Sequence, residues 1–545
     1  MFRGAVRSAR APDAKDRFFR HNPYSREAVS LLHTTVGRMF LDTAARFPER
    51  LCVETPEAAL SYARAEEAAL RCALALRRSG VRKGSRVGIW CKDSPAFLFL
   101  YLGLELLGAV PVLLNTALTG PEMAALLRKA EAERLYFDDG FKGVSFPAEV
   151  SRLGLENTAF IPDFFAALPP LTPEGREEVR KELERVSPED PDVIIFTSGT
   201  SGSAKGVLST HFARVNVAQA QVDTVSMTET DKCCVAIPMF HCFGLTAVIL
   251  AALNCGAALY FPGERHTKQL LESISLHGCT VFSAVPTLFS AILARSDLAD
   301  FDLRSLRTGY IGGSVYTPEF FLKVEKTLGF RMAPSLGQTE ATAGLTFLSP
   351  DAPDELRSST VGRFLSTIEG EIRDLEDGRP LPAGEAGEIC IRGWSVMKGY
   401  VNEPELTREA LDEAGWLRTG DLGWLDEEGC LHISGRRKEL IIRGGENISP
   451  GEIEAAIALD PRVREVKAVA VPDRHYGEEI CACVVLREGS EAPSEEEIRA
   501  LAAEKLAAYK VPRYVLFMDA LPRTGSGKLS LAVLKANAAQ ILGLQ

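Results

Sequence analysis

From about residue 35 to residue 300 the apolar positions switch between stretches of helical spacing and short continuous runs, the pattern of a layered α/β fold. Tyr62 to Arg78 carries the helical spacing and predicts a helix stopped by Gly80. SRVGIW (Ser85–Trp90) then reads as a buried strand. The run Ala96–Leu114 (AFLFLYLGLELLGAVPVLL) is long enough to be weighed as a membrane span. Glu105 at its centre and the breakers Gly108 and Pro111 argue instead for a buried helix ending near Gly108 and a buried strand reaching Asn115. ERLYFDD around Leu135 and VIIFTSGT around Ile195 are further strands. The charged stretch Pro173–Asp192, with Pro188 and Pro191, reads as a surface excursion ahead of the strand Val193–Phe196.

Further along, GEICIRG and GWLRTGDLGWLDEEGCLHISG read as short β-hairpins, with Glu428-Gly429 at one tip. The best boundary follows at Gly435, giving an N-terminal domain over 1–435 and a C-terminal domain over 436–545. In the latter, VREVKAVAVPD and EEICACVVLRE read as strands. Ser494 and Glu497 form a capping box for a helix that sets Ile498, Leu501, Ala502 and Leu506 on one face. That is a small α+β unit.

Length supports this division, because 545 residues exceed what one compact core accommodates. A net charge of −11, spread along the chain, argues against a nucleic-acid partner, which calls for a basic face. The twelve cysteines show no C-x-x-C pair and no clustered histidines, so they read as buried free thiols of a reducing, cytoplasmic setting. The Arg-rich N-terminus lacks an apolar core and carries Asp13 and Asp16, unlike a secretory signal.

The chemistry begins at Phe196–Gly206, FTSGTSGSAKG, a Ser/Thr/Gly-rich loop leaving a buried strand with Lys205 near its end. Glycines let backbone amides turn toward an anion, hydroxyls add donors, and the lysine supplies compact positive charge, a combination suited to polyphosphate. It is not a Walker A loop, since Ala204 and Gly206 flank the lysine where Gly and Ser/Thr are required. RTGSGK (Arg523–Lys528) fails the same test at Pro522 and Leu529.

TSGTSGSAKG resembles the phosphate loop of the adenylate-forming superfamily, which comprises acyl- and aryl-CoA synthetases, peptide-synthetase adenylation domains and firefly luciferase. Five further segments agree, in the family's order: PMFHCFG (Pro238–Gly244), LGQTEAT (Leu336–Thr342), GWLRTGDLGWLDEEG (Gly415–Gly429), GRRKELIIRGGENISPGEIE (Gly435–Glu454) and LPRTGSGKLS (Leu521–Ser530). The resemblance covers nearly the whole chain from residue 35 onward. It implies an α/β fold: a large multi-layered N-terminal domain of α/β sheets plus a small β-barrel-like subdomain, followed by a small mobile α+β C-terminal domain.

It also implies roles. ATP and Mg²⁺ serve a first step in which a carboxylate attacks the α-phosphorus. Lys528 matches the lysine bridging carboxylate and α-phosphate. Thr339 and Glu340 match the pair that contacts that phosphate and holds the metal, a hard cation that prefers carboxylate oxygen. Thr197, Ser198, Gly199, Thr200 and Lys205 match the cradle of the β- and γ-phosphates. Asp421 matches the acceptor for the ribose hydroxyls, with Arg436 beside it. Gly312, Gly313 and Ser314 match the turn lining the adenine slot, and Leu336 and Gly337 flank it. Leu336 stands where many relatives place an aromatic against adenine, a departure that bears on nucleotide affinity.

For the second step, Lys438 occupies the family's hinge position, and Gly444 and Gly445 resemble the loop of CoA ligases that approaches pantetheine. CoA is the expected acceptor, and the chain ends soon after its small domain without a carrier domain. Luciferase-type oxidation is disfavoured, because the lysine tied to it falls at Ile442. His241 and Phe243 match a gate and the upper wall of the acyl pocket, after a strand expected to end near Pro238. FHCFG is most similar to the medium-chain fatty acyl branch, so a medium-chain fatty acid is the expected small-molecule partner. An aryl acid, or loading of a carrier protein, stays open, as does the reading of the apolar run beyond Phe243 as plain core. A kinase or ATPase releasing ADP is the contrasting class. A homodimer is compatible with the sequence.

Overall fold

The computed structural model describes residues 31–197, 204–263, 266–314, 316–443, 446–474, 476–506, 508–523 and 529–544. A seven-stranded sheet runs in the order Gly399–Tyr400, Lys205–Thr210, Pro191–Thr197, Val110–Leu113, Arg86–Trp90, Arg134–Phe137 and Thr158–Phe160. The last five are parallel, while Lys205–Thr210 pairs antiparallel with both its neighbours. A second layer joins two four-stranded sheets through bridges at Val281, and in it Thr308–Ile311 lies parallel to Arg331–Leu336. The expected hairpins form a four-stranded antiparallel sheet of Glu369–Arg373, Gly387–Arg392, Leu417–Leu425 and Leu431–Arg436. Beyond it, Ile441–Arg443, Glu446–Ile448, Val463–Asp473, Gly477–Leu486 and Tyr514–Phe517 build a separate sheet with its own apolar cluster. The molecule is thus a mixed α/β protein with a large N-terminal domain and a smaller C-terminal one.

The helix Tyr62–Arg78 forms over the span its periodicity predicts, and Ser61 caps it by accepting from the Arg64 amide. The apolar run after it divides into a helix, Pro95–Leu106, buried on every face from Phe97 to Leu106, and a strand, Val110–Leu113. A side chain at Gly103 would lie 2.9 Å from Cys72 Cβ, so glycine is what lets these two helices touch. Among the described residues no helix is long and apolar enough to cross a membrane. All twelve cysteines are free, eleven of them buried. The Ser494–Glu497 capping box is present, with Ile498 and Ala502 buried beneath it.

Two expectations need correction. The stretch Pro173–Asp192, expected as a surface excursion, contains a helix at Pro173–Leu183: Thr172 accepts from the Gly175 amide at 3.1 Å, proline opens the first turn, and Val179 and Leu183 are buried one turn apart. A few apolar anchors on a charged segment suffice once Arg77 of the neighbouring helix pairs with Glu182 at 2.9 Å. The strand before His241 ends at Cys234, not near Pro238.

Glu105 is solved by pairing inside the core. Its Oε2 lies 3.1 Å from His211 Nδ1, with both side chains wholly buried. Nearby, Asp192 pairs with the buried Arg214 and accepts from Ser209 Oγ at 2.9 Å, while Arg214 donates to Thr246 Oγ1 at 2.8 Å. Burial pushes the Glu105 carboxyl up to about 7 against the help of His211. His211 is penalised as a cation by burial, yet the hydrogen bond and charge of Glu105 hold it above its ordinary value. Both groups therefore bind protons more tightly in the fold than in the unfolded chain. Their contribution to stability is present in mild acid and is lost as pH rises through about 7. Glu105→Gln should show a smaller fall in Tm between about pH 5.5 and about pH 8 than the parent protein. Equal falls, followed by circular dichroism, would refute the coupling.

Candidate active site

Two parallel strands open the site. Thr308–Ile311 and Arg331–Leu336 pair with Ile311 opposite Pro334, so Gly312–Ser314 and Leu336–Gly337 leave at the same carboxyl edge, where α/β sheets place ligands. A side chain at Gly312 would lie 2.7 Å from Ser335 Oγ and one at Gly337 only 2.4 Å from the Ala343 carbonyl oxygen. Gly337 thereby admits the tight return that carries Thr339 and Glu340 on a single 3₁₀ turn. Thr342 (φ 56°) and Ala343 (φ 70°) close that return in the left-handed region, where residues with side chains are strained. The hydrogen bonds of Ala343 N–H to Gln338 O (2.9 Å) and Thr342 Oγ1 to Ser395 O (2.8 Å) hold it.

The turn meets the seven-stranded sheet through a residue the sequence did not single out. Tyr400 donates its phenolic O–H to Glu340 Oε1 at 2.9 Å, and its ring lies under the Lys205 ammonium, 4.6 Å from nitrogen to ring centre. Burial, reinforced by the Glu340 charge, pushes the phenol well above its ordinary pKa, so it stays a neutral donor. Backbone bonds sew the same segment to both partners: Met397 N–H donates to Glu340 O at 2.9 Å, and Val401 N–H to Gly206 O at 2.8 Å. Thr197 faces Lys205 across the antiparallel pair.

On the antiparallel sheet Asp421 stands opposite Arg436 in register. Arg436 Nε reaches Asp421 Oδ1 at 2.9 Å, its own side chain largely exposed and the carboxylate almost wholly buried. Burial raises the Asp421 carboxyl to about 6; Arg436 opposes this, while Glu340 and Glu439 add to it.

His241 and Phe243 lie half-buried at the mouth of a wide π-helical turn, Phe243–Leu250. The Phe243 amide donates to His241 Nδ1 at 3.2 Å, which leaves the ring proton on Nε2. Thr339 Oγ1 donates to Cys242 Sγ at 3.5 Å, so this segment touches the Thr339 turn directly. Beyond Phe243, every residue from Gly244 to Leu250 is buried and most join the main core, which makes that stretch core helix.

Ser198, Gly199, Thr200, Gly444, Gly445 and Lys528 lie outside the described residues. The flanks of the Lys528 loop are joined by a bridge between Arg523 and Leu529. Around Lys438, Arg437 Nη1 pairs with Glu388 of the antiparallel sheet at 2.7 Å, and Glu439 pairs with Lys467 of the C-terminal sheet at 3.1 Å. Lys438 therefore sits between one residue anchored to each side.

A layered α/β domain followed by a smaller sheet domain, with glycine turns leaving the carboxyl edge of two parallel strands, is the architecture of adenylate-forming enzymes. The chain belongs to the AMP-binding enzyme family, whose model matches residues 40–401 and whose C-terminal domain model matches 452–528. It is 34% identical to a protein of Bacillus subtilis named as an acyl-CoA synthetase, YngI, over 95% of this chain and 99% of that one. The mitochondrial medium-chain acyl-CoA ligase ACSF2 of Rattus norvegicus is 32% identical over 94% of this chain and 89% of its own. Among solved structures, the o-succinylbenzoate CoA synthetase MenE of Bacillus subtilis, in complex with its acyl-adenylate OSB-AMP, superposes with a TM-score of 0.80 at 28% identity, covering 93% of this chain and 99% of its own. The protein is an enzyme of the acyl-CoA synthetase class.

Because a Cβ at Gly337 would run into backbone rather than a side chain, Gly337→Ala should lower stability by about 1–3 kcal/mol. A Tm equal to that of the parent protein would show that the return is not held as tightly as its geometry requires.

Proposed function

We propose that this enzyme joins a carboxylic acid, with a medium-chain fatty acid as the leading candidate, to CoA through an acyl-adenylate formed from ATP. The observation that carries the reading is Tyr400 joining Lys205 to Glu340 on the Thr339–Glu340 turn, with a buried Asp421 paired to Arg436 on the antiparallel sheet. In the first step the substrate carboxylate attacks the α-phosphorus and pyrophosphate leaves. Charge grows on the α-phosphate oxygens, so donors and cations held in advance lower the barrier. The Thr339 hydroxyl and Lys528 are assigned to that phosphate, and Lys205 with Thr197, Ser198, Gly199 and Thr200 to the β- and γ-phosphates. Asp421 accepts from the ribose hydroxyls, with Arg436 balancing its charge. Gly312, Gly313, Ser314, Leu336 and Gly337 line the adenine side.

Glu340 suits a magnesium ion. One carboxylate oxygen is taken by the Tyr400 phenol, and no other hydrogen bond to this carboxylate is made among the described residues. A single carboxylate completed by phosphate oxygens and water is the usual environment of that ion. When bound it supplies countercharge to the triphosphate. MenE, at 28% identity, has been solved in complex with ATP and magnesium ion.

In the second step a thiol attacks the acyl carbonyl and AMP leaves. We assign the exchange between steps to rotation of residues 436–545 against 1–435 about Lys438. The anchoring of Arg437 and Glu439 to opposite sides supports this assignment. Gly444 and Gly445 are assigned to the approach of pantetheine. For the acid, FHCFG and the identity to the rat medium-chain ligase favour a fatty chain behind His241 and Phe243. The likeness to MenE favours an aryl acid as the second reading.

The test is release of AMP and pyrophosphate from ATP and Mg²⁺ with straight-chain acids and benzoates, each with and without CoA. AMP formation that needs both acid and CoA is expected, strongest for medium chains. Pyrophosphate exchange without CoA-dependent turnover would point to a carrier-protein acceptor, and ADP would overturn the reading. A second prediction follows from Asp421. An acceptor whose carboxyl titrates near 6 becomes a neutral acid with one oxygen turned donor as pH falls, so adenosine, which has no phosphate of its own to titrate, should bind more weakly below about pH 6. The loss should approach about tenfold per pH unit. Asp421→Asn should bind weakly at every pH and without that slope, as read by calorimetry. A parent protein whose adenosine affinity is flat from pH 8 to pH 5 would remove Asp421 from the ribose.

A further inference from the structure

Lys205 and Glu340 carry opposite charges on neighbouring elements, yet neither makes an ion pair within 4.0 Å among the described residues. What stands between them is Tyr400. Its position is determined from several directions. The strand Gly399–Tyr400 pairs with Val207 and Leu208, and the Tyr400 amide donates to Thr407 Oγ1 at 2.9 Å. A side chain at Gly399 would lie 2.9 Å from Thr407 Cγ2, so that close approach belongs to glycine. The ring is buried, and each of its two faces of chemistry is engaged: the π-face by the ammonium, the hydroxyl by the carboxylate.

We propose that Tyr400 is a positioning residue for the nucleotide half of the reaction, holding Glu340 by its hydroxyl and Lys205 by its ring so that both charges stay open to metal and phosphate. The proposal rests on the roles given above to Lys205 and Glu340. Without the ring, an ammonium and a carboxylate on facing elements attract each other directly and pair with one another. With it, the lysine gains a cation–π contact that leaves its hydrogens free to donate. The carboxylate gains one hydrogen bond, which fixes its rotamer and leaves the second oxygen to a cation.

Two variants separate these contacts. Tyr400→Phe keeps the ring and deletes the hydroxyl; Tyr400→Leu deletes both. Binding is read by calorimetry with a non-hydrolysable ATP analogue over a range of Mg²⁺ concentrations, beside AMP binding without metal and the Tm. For Tyr400→Phe the half-saturating Mg²⁺ concentration should rise by about tenfold, the size of one hydrogen bond to a charged group, with AMP affinity and Tm unchanged. For Tyr400→Leu affinity for the analogue should fall further at saturating Mg²⁺. A Tyr400→Phe protein that titrates with Mg²⁺ like its parent overturns the proposal. So does one in which Tm, AMP affinity and Mg²⁺ requirement deteriorate together, since that is a structural residue. Failure of the parent protein itself to bind the analogue with Mg²⁺ would instead count against the assignment of the nucleotide site.

Discussion

Antiparallel hydrogen bonding of Lys205–Thr210, to Pro191–Thr197 on one side and Gly399–Tyr400 on the other, decides where the charged groups of the site stand. Register Val207↔Tyr400 makes Lys205 and Tyr400 a diagonal cross-strand pair on one face. A slip by one residue would turn Lys205 to the opposite face and leave Glu340 without its phenol. The short strand is an edge, and edges are ordinarily weak. This one is held by Val401 N–H on Gly206 O and by Lys398 N–H on Leu208 O, both at 2.8 Å. Backbone pairing, independent of side-chain identity, thus delivers side chains from residues 205, 340 and 400 to one place.

Much of this architecture was legible in the chain. The helix Tyr62–Arg78, the division of the apolar run at Gly108 and the capping box at Ser494 are local: their signals lie within a few residues of the structure they cause. The Pro173–Leu183 helix escaped because only Val179, Leu183 and Gly175 are buried, too few for a period to show against its charges. The π-helical turn Phe243–Leu250 is apolar on all sides, so no periodicity distinguishes it from an α-helix or a buried strand.

The site was legible in a different sense. Motif residues such as Asp421, Arg436, Thr339 and Glu340 could be named because their order along the chain repeats a family pattern, and the structure pairs the first two across neighbouring strands. Tyr400 could not be named, because its meaning is wholly tertiary. It sits in a two-residue strand, and its partners lie 60 residues or more away in the chain. Cys242 is similar: nothing about a cysteine after a histidine announces a contact with Thr339, 97 residues on.

The net charge of −11 and an anionic nucleotide are reconciled locally rather than globally. Glu340 and Glu439 both act to raise the buried Asp421 carboxyl, opposed chiefly by Arg436. Such an arrangement is electrostatically unfavourable on its own and becomes favourable when cations arrive with the ligand. Under the role proposed for Glu340, a divalent cation arriving with the polyphosphate supplies the missing countercharge, so binding becomes conditional on a ligand that carries one.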